Sequence, residues 1–220
     1  MGEIMKITKY PQSCVLIEAN GKNILIDPGK YTYEQIDMKP EDWKNIDILL
    51  LTHEHADHMM PEAIKIIAKN NNPVILTNKP VHDILEKEGI KSEILNPGQE
   101  RIIENIKITG VKSKHGDLPS GNLAPEVIGF LIDDKIYHPG DTVYLKEKPY
   151  ADIVFVPICG TVVMDAKEVV RFVKEIKPKL VIPIHYSSPV YPATTDEFEK
   201  EIKKTNLNYK ILKNKESIEV

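Results

Sequence analysis

Three histidines and two carboxylates fall within the six residues His53-Glu54-His55-Ala56-Asp57-His58. Neutral imidazole nitrogens and carboxylate oxygens are the ligands that borderline divalent metals such as zinc take in proteins. Only Thr52 separates the cluster from the apolar run at residues 46–51, which has the composition of a buried strand. A strand that ends in such a cluster predicts a metal site, and a solvated polar loop is the alternative interpretation.

The spacing of these residues predicts how they divide between metals. If the chain stays extended past residue 51, His53 and His55 point to the same side and can share one metal, because side chains of a strand alternate. Asp57 and His58 follow where the chain is predicted to turn into a helix. Adjacent residues at such a turn diverge, so they can address a second metal. Two metals about 3.5–4 Å apart can hold a nucleophilic hydroxide between them.

The elements that must position this cluster are predicted from apolar periodicity and end signals. The predicted strands cover residues 5–8, 14–19, 22–26, 46–51, 73–77, 92–95, 101–103, 106–111, 127–132, 135–138, 152–157 and 180–184. The predicted helices cover residues 59–69, 80–88 and 165–177, a last helix begins at residue 194, and two short strands close the chain.

Turn signals connect several of these elements. Asn20-Gly21, Glu104-Asn105 and Asp133-Asp134 each predict a hairpin. Residues 30–44 are predicted to form a loop or a short helix near the site. Meanders followed by strand–helix units, with no repeat and no Gly- or Ser-rich linker, predict one α/β domain over residues 1–220.

Further candidate ligands follow other predicted strands, namely His115, Asp141 and His185. Ligands bind in the crevice where strand ends converge, so we predict that these three residues complete the metal site. Each has an ordinary alternative: a turn histidine, a turn-forming aspartate and a satisfied core histidine. Asp141 is also placed to bridge two cations with its two oxygens.

Three other polar residues are predicted to have supporting or structural roles. Asp27, in the turn Asp27-Pro28-Gly29, either caps that turn or supports an imidazole from behind. His138 precedes Asp141 by three residues, and the intervening Pro139-Gly140 makes a joint ligand role awkward, so a supporting or structural role is predicted. His82 lies on a predicted helix away from the other histidines and is interpreted as a surface or packing residue.

The composition is that of an ordinary soluble globular protein, with 41% hydrophobic and 28% charged residues. The net charge of −4 and the lack of an extended basic block exclude nucleic acid as an expected main partner. No apolar run approaches the roughly 20 residues that span a bilayer, and the N-terminal residues lack the apolar core of a signal peptide. We therefore expect a cytoplasmic protein with no membrane partner.

The two cysteines, Cys14 and Cys159, lie in apolar, strand-like contexts. Two cysteines in such positions do not make a disulfide scaffold. Both are predicted to be buried, reduced thiols.

The order of these motifs resembles the metallo-β-lactamase superfamily. The pattern is His53-x-His55-x-Asp57-His58, then a lone His115, then Gly140-Asp141-Thr142, then His185. The resemblance implies an αββα four-layer sandwich of the α/β class, with metals at one edge of two sheets. Residues 156–160, Met164 and residues 182–186 are similar to the UlaG-like small metal-dependent hydrolases, some of which are lactonases on sugar phosphates.

The resemblance also implies a ligand set for two divalent ions. His53, His55 and His115 would hold the first ion. Asp57, His58 and His185 would hold the second, and Asp141 would bridge both. Zinc is the default metal, and manganese, iron or nickel fit similar ligands.

The implied activity is hydrolysis of a small lactone, ester or phosphodiester. A water between the two cations loses a proton, the hydroxide attacks, and the metals stabilise the oxyanion. Asp57 would orient the nucleophile and shuttle a proton. Asp141 would bridge the two ions that bind the nucleophile. Asp57 and Asp141 are therefore the predicted catalytic residues. Tyr186 is either a substrate contact or a packing residue. The small-molecule substrate would be selected by the loops at residues 30–44 and 118–125.

Two other functions stay open as alternatives. The first is an iron-dependent redox enzyme acting on oxygen or a sulfur substrate. His55 stands where the flavodiiron pattern has glutamate, and no flavin domain follows, which disfavours that class. The second is a non-catalytic metal-binding protein, which a missing ligand would support, although all seven positions are filled. A homo-oligomer also stays open.

Overall fold

The computed structural model describes residues 5–220, and its contacts group them into two compact units. The first unit comprises the described residues up to Leu95 together with Leu212–Val220, and the second unit is Asn96–Ile211. Each unit contains one mixed β-sheet with helices and a hydrophobic cluster of its own. The prediction of one domain over residues 1–220 stays a prediction.

The sheet of the first unit has seven strands in the order β13-β1-β2-β3-β4-β5-β6. Its elements are β1 (Lys6–Lys9), β2 (Val15–Ala19), β3 (Lys22–Ile26), α1 (Tyr31–Glu34), a 3₁₀ turn (Pro40–Asp42), β4 (Ile48–Leu51), α2 (Pro61–Asn71), β5 (Val74–Thr77), α3 (Lys79–Lys87), β6 (Glu93–Ile94) and β13 (Ser217–Glu219). β3, β4, β5 and β6 run parallel, so their carboxyl ends share one edge of the sheet.

Local signals account for the order of the first unit. Asn20 and Gly21 both adopt positive φ, 52° and 71°, as the tight turn between β2 and β3 requires. Pro61 stands at the start of α2, where its missing N–H costs no helical hydrogen bond. Asn78 caps α3 by accepting a hydrogen bond from the Val81 N–H at 3.1 Å.

The sheet of the second unit has six strands in the order β12-β11-β10-β9-β8-β7. Its elements are β7 (Glu100–Ile103), β8 (Ile106–Lys112), β9 (Ile128–Ile132), β10 (Ile136–His138), β11 (Ile153–Pro157), α4 (Ala166–Ile176), β12 (Leu180–Ile184) and α5 (Asp196–Ile202). β8 and β10 are both antiparallel to β9, and β10, β11 and β12 are parallel. The carboxyl ends of β8, β10, β11 and β12 therefore lie along one edge.

Turn and cap chemistry again agrees with the predicted elements. Asp133 and Asp134 adopt positive φ between β9 and β10, as do Glu104 and Asn105 between β7 and β8. Asp165 caps α4 by accepting the N–H groups of Lys167 and Glu168, which completes the predicted capping box.

Several predicted elements differ from the structure at their ends, and two of the differences have a clear structural reason. α2 begins at Pro61 rather than residue 59, because residues 52–60 form turns that carry the histidine cluster. Of the two predicted closing strands, only β13 forms a ladder in the described chain. The other is a single bridge between Val181 and Tyr209, since the segment pairs with β12 at one position only.

No helix among residues 5–220 has the length and apolar character needed to cross a membrane. The expectation that the chain begins without a leader rests largely on residues 1–4, which lie outside the described residues. The cytoplasmic location stays a prediction.

A buried lysine in the first unit has a consequence for stability. Lys9, 1% exposed, donates Nζ to the Tyr10 carbonyl at 2.9 Å and to Asn214 Oδ1 at 3.3 Å. Burial lowers the pKa of Lys9 from 10.5 to about 8, although the nearby Cys14 acts in the opposite direction. Between these two pKa values the unfolded chain binds more protons than the folded chain. The free energy of unfolding is therefore expected to rise with pH through this window.

We predict that Lys9→Met removes this rise, which amounts to about 3 kcal/mol at most. Urea unfolding of both proteins at pH values of about 7.5 and about 9.5 measures the effect. The difference between wild type and variant isolates Lys9, because the tyrosines and thiols that titrate nearby are present in both. Parallel pH dependences would contradict the prediction.

Candidate metal centre

In the first unit the candidate ligands and their supporting residues follow the carboxyl ends of two neighbouring parallel strands. Asp27 follows β3, and the segment from Thr52 to His58 follows β4. Ile26 pairs with Leu50 in the ladder, and the Asp27 N–H donates to the Leu50 carbonyl at 3.1 Å. The polar residues after the two strands are thus brought side by side, as their predicted positions at strand ends implied.

Asp27 is a fully buried carboxylate that supports the histidine segment from behind. Its Oδ1 accepts the Thr52 N–H at 2.8 Å. Its Oδ2 accepts the Thr52 hydroxyl at 2.7 Å and His58 Nδ1 at 2.8 Å. Of the two roles left open for Asp27, the structure shows support of an imidazole.

These hydrogen bonds set the tautomers of two histidines. The carboxylate of Asp27 only accepts, so His58 must carry its proton on Nδ1. The Thr52 hydroxyl hydrogen is directed at Asp27, so Thr52 Oγ1 accepts from His53 Nδ1 at 3.0 Å. Neutral His53 and His58 therefore both present Nε2 as an electron-pair donor, which is the form that metals bind.

The four candidate ligands of the first unit lie close together. The ring centroid of His53 is 4.8 Å from that of His55 and 4.1 Å from that of His58. Asp57 Oδ2 lies 3.8 Å from His58 Nε2. The expectation that Asp57 and His58 diverge is wrong, because the turn that follows His55 brings their donor atoms together. Asp57 and His58 are thus placed to share one ion, as their predicted assignment to one metal requires.

Gly29 allows this turn to pack against the segment that follows β3. A Cβ on Gly29 would lie 2.0 Å from the Asp57 carbonyl carbon and 2.4 Å from the His58 nitrogen. The adjacent Lys30 N–H donates to the Ala56 carbonyl at 2.8 Å. The backbone of Asp57 and His58 is therefore fixed by a close approach that only glycine permits.

In the second unit three candidate ligands meet beyond β8, β10 and β12. All three are buried, with Asp141 1% exposed and His115 and His185 both 2% exposed. Asp141 Oδ2 lies 2.9 Å from His185 Nε2 and 3.7 Å from His115 Nε2. The carboxylate thus stands between imidazoles from two other strands. His185 adopts a φ of 56°, which is strained for any residue other than glycine. Such strained residues cluster at functional sites.

His115 carries its proton on Nδ1, as His53 and His58 do. Its Nδ1 donates to the Gly116 carbonyl at 2.7 Å, so its Nε2 is the electron-pair donor. Gly116 closes the turn by donating its N–H to the Val162 carbonyl at 2.8 Å, where a Cβ would lie 2.6 Å from the same oxygen.

The other histidines of the chain have different surroundings. His138 Nδ1 accepts the Gly140 N–H at 3.2 Å, and its ring packs against Phe155. His138 therefore holds the turn that presents Asp141, in keeping with its predicted supporting role. His82 is partly exposed on α3, with Nδ1 2.9 Å from Ser92 Oγ. Tyr186 packs against the hydrophobic cluster of the second unit.

The two cysteines are unpaired thiols, as predicted. Burial raises the pKa of the Cys14 thiol. Cys159 is only partly buried, which corrects its predicted full burial, because it lies in the segment after β11 rather than within the strand. Burial opposes ionisation of Cys159, but the hydrogen bond and charge of His185, together with hydrogen bonds to the backbone of Val162 and Thr161, outweigh burial and lower the pKa of this thiol.

We predict that Cys14→Ala and Cys159→Ala each keep hydrolysis within roughly threefold of wild type, since neither thiol belongs to the predicted ligand set. Steady-state kinetics of the two variants, with circular dichroism as a check of folding, measure this. A folded variant without turnover would contradict it.

Sequence reasoning missed Thr52, Gly29 and Gln12. Thr52 links Asp27 to His53, because its hydroxyl donates to Asp27 and accepts from His53 Nδ1. A threonine directly before a histidine at a strand end could have indicated this supporting contact. Gly29 was interpreted only as a turn residue. Gln12 donates Nε2 to Asp57 Oδ2 at 3.1 Å. The two residues are 45 positions apart, and no local sequence pattern predicts a contact over that separation.

The donor chemistry of both units fits divalent metal ions. Buried neutral imidazoles are supported through Nδ1, and carboxylate oxygens lie within 4 Å of their Nε2 atoms in each unit. This is the pattern of metal-ligating histidines, whose second nitrogen donates to a carboxylate, carbonyl or similar acceptor.

Comparisons with known proteins point the same way. A family profile described as a β-lactamase superfamily domain matches residues 6–185. A UPF0173 metal-dependent hydrolase from Thermoplasma acidophilum is 33% identical over 194 residues, which cover 84% of this chain and 85% of the relative. A UPF0173 metal-dependent hydrolase from Natranaerobius thermophilus is 30% identical over 227 residues, covering 98% of this chain and 100% of the relative.

Solved structures match the chain over its whole length. A metallo hydrolase from Ignicoccus hospitalis matches with a TM-score of 0.83 at 21% identity, covering 99% of this chain and 98% of that chain. The metallo-β-lactamase fold protein YhfI from Bacillus subtilis matches with a TM-score of 0.74 at 17% identity, covering 100% of both chains. A diiron β-hydroxylase from Streptomyces venezuelae matches with a TM-score of 0.72 at 15% identity, covering 99% of this chain and 54% of that chain. These likenesses show the fold alone.

Proposed function

The chain belongs to the β-lactamase superfamily, and from that premise we propose that it is a metal-dependent hydrolase with a dinuclear metal centre. The superfamily profile covers most of the 220 residues, and the predicted superfamily and α/β sandwich fold are thereby confirmed. The UPF0173 relatives, at 30% and 33% identity, support hydrolysis as the reaction.

The orientation of three buried imidazoles is the observation that carries the proposal. His53, His58 and His115 each direct Nδ1 at an oxygen acceptor, and each presents Nε2 as a donor of an electron pair. Three histidines that merely filled a core would not need this common arrangement. Histidines that hold a metal almost always have it.

We assign the ligands as two sets joined by one carboxylate. His53, His55 and His115 would hold one ion. Asp57, His58 and His185 would hold the other, and Asp141 would serve both. Such ions, zinc by default, would lower the pKa of a bound water and stabilise negative charge on the substrate.

Asp57 is proposed to move the proton. The Asp57 side chain is 21% exposed, whereas the neighbouring His58 is fully buried. A carboxylate that is open on one side and fixed on the other can take a proton from the attacking water at a carboxylate oxygen and deliver it to the leaving group. Asp141, 1% exposed, has no such access and keeps a holding role.

We propose a small-molecule substrate with a lactone, ester or phosphodiester bond. The acidic chain, with a net charge of −4, supports a small substrate over a polyanionic nucleic acid. The loops at residues 30–44 and 118–125 are proposed to select the substrate, because loops at strand ends shape the pocket while the fold stays constant.

A hydrolysis assay tests the proposal. The protein, first stripped with a chelator and then reloaded with zinc or manganese, is offered a lactone, a carboxylic ester, a phosphodiester and a thioester. We expect turnover of at least one class by the reloaded protein and none by the stripped protein. Reloaded protein that binds metal but hydrolyses none of the four would contradict the proposal. Oxygen consumption by iron-loaded protein would favour the redox alternative.

A further inference from the structure

We infer that Gln12 is a positioning residue that holds Asp57 in the orientation its metal-binding and proton-moving roles require. The inference rests on the proposed function and adds a residue to it. Gln12 lies between β1 and β2, 45 positions before Asp57 in the chain, and donates Nε2 to Asp57 Oδ2 at 3.1 Å.

The turn that carries Gln12 is buried and closed by backbone hydrogen bonds. The Tyr10 N–H donates to the Cys14 carbonyl at 2.8 Å, and the Cys14 N–H donates to the Pro11 carbonyl at 3.2 Å. Gln12 is fully buried and adopts a φ of 57°, a conformation that residues other than glycine occupy only when their surroundings hold them there. A side chain delivered by such a turn has little freedom to point elsewhere.

The oxygen that Gln12 contacts is the one that faces His58. Asp57 Oδ2 is 3.1 Å from Gln12 Nε2 and 3.8 Å from His58 Nε2. A carboxylate oxygen has two lone-pair sites, so one can accept the amide while the other is directed at an ion that His58 also holds. The amide thus selects the side-chain rotamer of Asp57 that the second metal position needs.

An amide suits this task better than a charged side chain. The Gln12 amide does not titrate, so it donates at every pH at which the protein is folded. It also adds no positive charge that would compete with a cation for the Asp57 carboxylate. The backbone of Asp57 is fixed separately by the close approach of Gly29, which leaves side-chain orientation as the part that Gln12 controls.

The test is zinc binding by competition with a chromophoric chelator, with Gln12→Met as the main variant. Methionine keeps the length of the side chain and removes the donor. We expect wild type to bind two zinc ions. In Gln12→Met, one dissociation constant should rise roughly 10–100-fold while the other stays unchanged, and kcat should fall by a similar factor. Gln99→Met, at an exposed loop glutamine, is the matched control and should bind as wild type does.

Two further variants separate positioning from folding. Gln12→His keeps an N–H donor at similar reach and tolerates the positive φ. Its dissociation constant for the second zinc ion should therefore stay close to that of wild type. Gln12→Asn keeps the amide and tolerates the same φ, but its side chain is one methylene shorter. It should therefore raise the dissociation constant of the second zinc ion, and it serves as the test if Gln12→Met does not fold.

The outcomes distinguish this inference from the proposed function. Wild type that binds two zinc ions, beside folded Gln12 variants with the same two dissociation constants, would overturn the role of Gln12 and leave the hydrolase standing. Wild type that binds no zinc would overturn both. Equal weakening of both ions in Gln12→Met would also overturn the inference, because positioning of Asp57 concerns only one of them.

Discussion

Asp141→Ala is expected to lose bound metal and catalytic activity together. Asp141 is the buried carboxylate that stands between His185, at 2.9 Å, and His115, at 3.7 Å, in the second unit. It is also the only residue that the proposal assigns to both ions. Removing one preorganised electrostatic group from an active site typically lowers kcat by about 10²–10³, so we expect a loss of activity of at least this size.

Metal content and turnover of purified Asp141→Ala and Asp141→Asn measure this effect. Asp141→Asn keeps the volume and removes the charge, so a loss shared by both variants belongs to the carboxylate. Asp134→Asn, in the exposed turn between β9 and β10, is the matched control and should behave as wild type does. A fully active, metal-replete Asp141→Ala would contradict the bridging role.

Asp27→Asn is expected to lower both stability and metal affinity. Three donors converge on the two oxygens of Asp27: the N–H and hydroxyl of Thr52, and His58 Nδ1. An asparagine amide has only one acceptor oxygen, so either of its orientations points an NH₂ group at one of these donors. One or two buried donors left unsatisfied, at about 1–3 kcal/mol each, predict a loss of about 3 kcal/mol in the free energy of unfolding.

The same substitution disturbs both histidines that depend on Asp27. His58 loses its acceptor directly, and His53 is affected through Thr52, so metal affinity is expected to fall roughly 10–100-fold. Urea unfolding and zinc competition measure the two effects. Asp133→Asn is a close control, because Asp133 also has a positive φ and accepts a backbone N–H, from Lys107 at 2.7 Å, in a hairpin away from the ligands. Unchanged stability and affinity in Asp27→Asn would contradict the supporting role.

The sequence was sufficient to predict most elements because their local signals agree with the tertiary structure. Asn20-Gly21 and Asp133-Asp134 form the predicted hairpin turns, since these residues accept positive φ. The apolar run before His53 became β4, whose four residues are all buried. Polar ligands at strand ends were predictable for the same reason, as the parallel strands of each sheet bring their carboxyl ends to one edge.

The parts of the site that could not be predicted depend on contacts distant in sequence. Asp27 and His185 adopt positive φ, of 47° and 56°, at positions where nothing in the local sequence demands it. Gln12 reaches Asp57 from a turn before β2, and its residue type is common in any polar loop. The close approach of the Asp57 and His58 donor atoms could not be predicted, because the turn after His55 is set by packing against Gly29 rather than by local propensity.

Elemental analysis of protein purified without a chelator or a metal-affinity tag tests the central claim most directly. The proposed ligand sets predict about two zinc or manganese atoms per chain, as expected for a dinuclear hydrolase. About one iron atom per chain would instead favour oxidative chemistry. Protein that contains no metal, and takes up none after incubation with zinc, would contradict the metal centre and the function built on it.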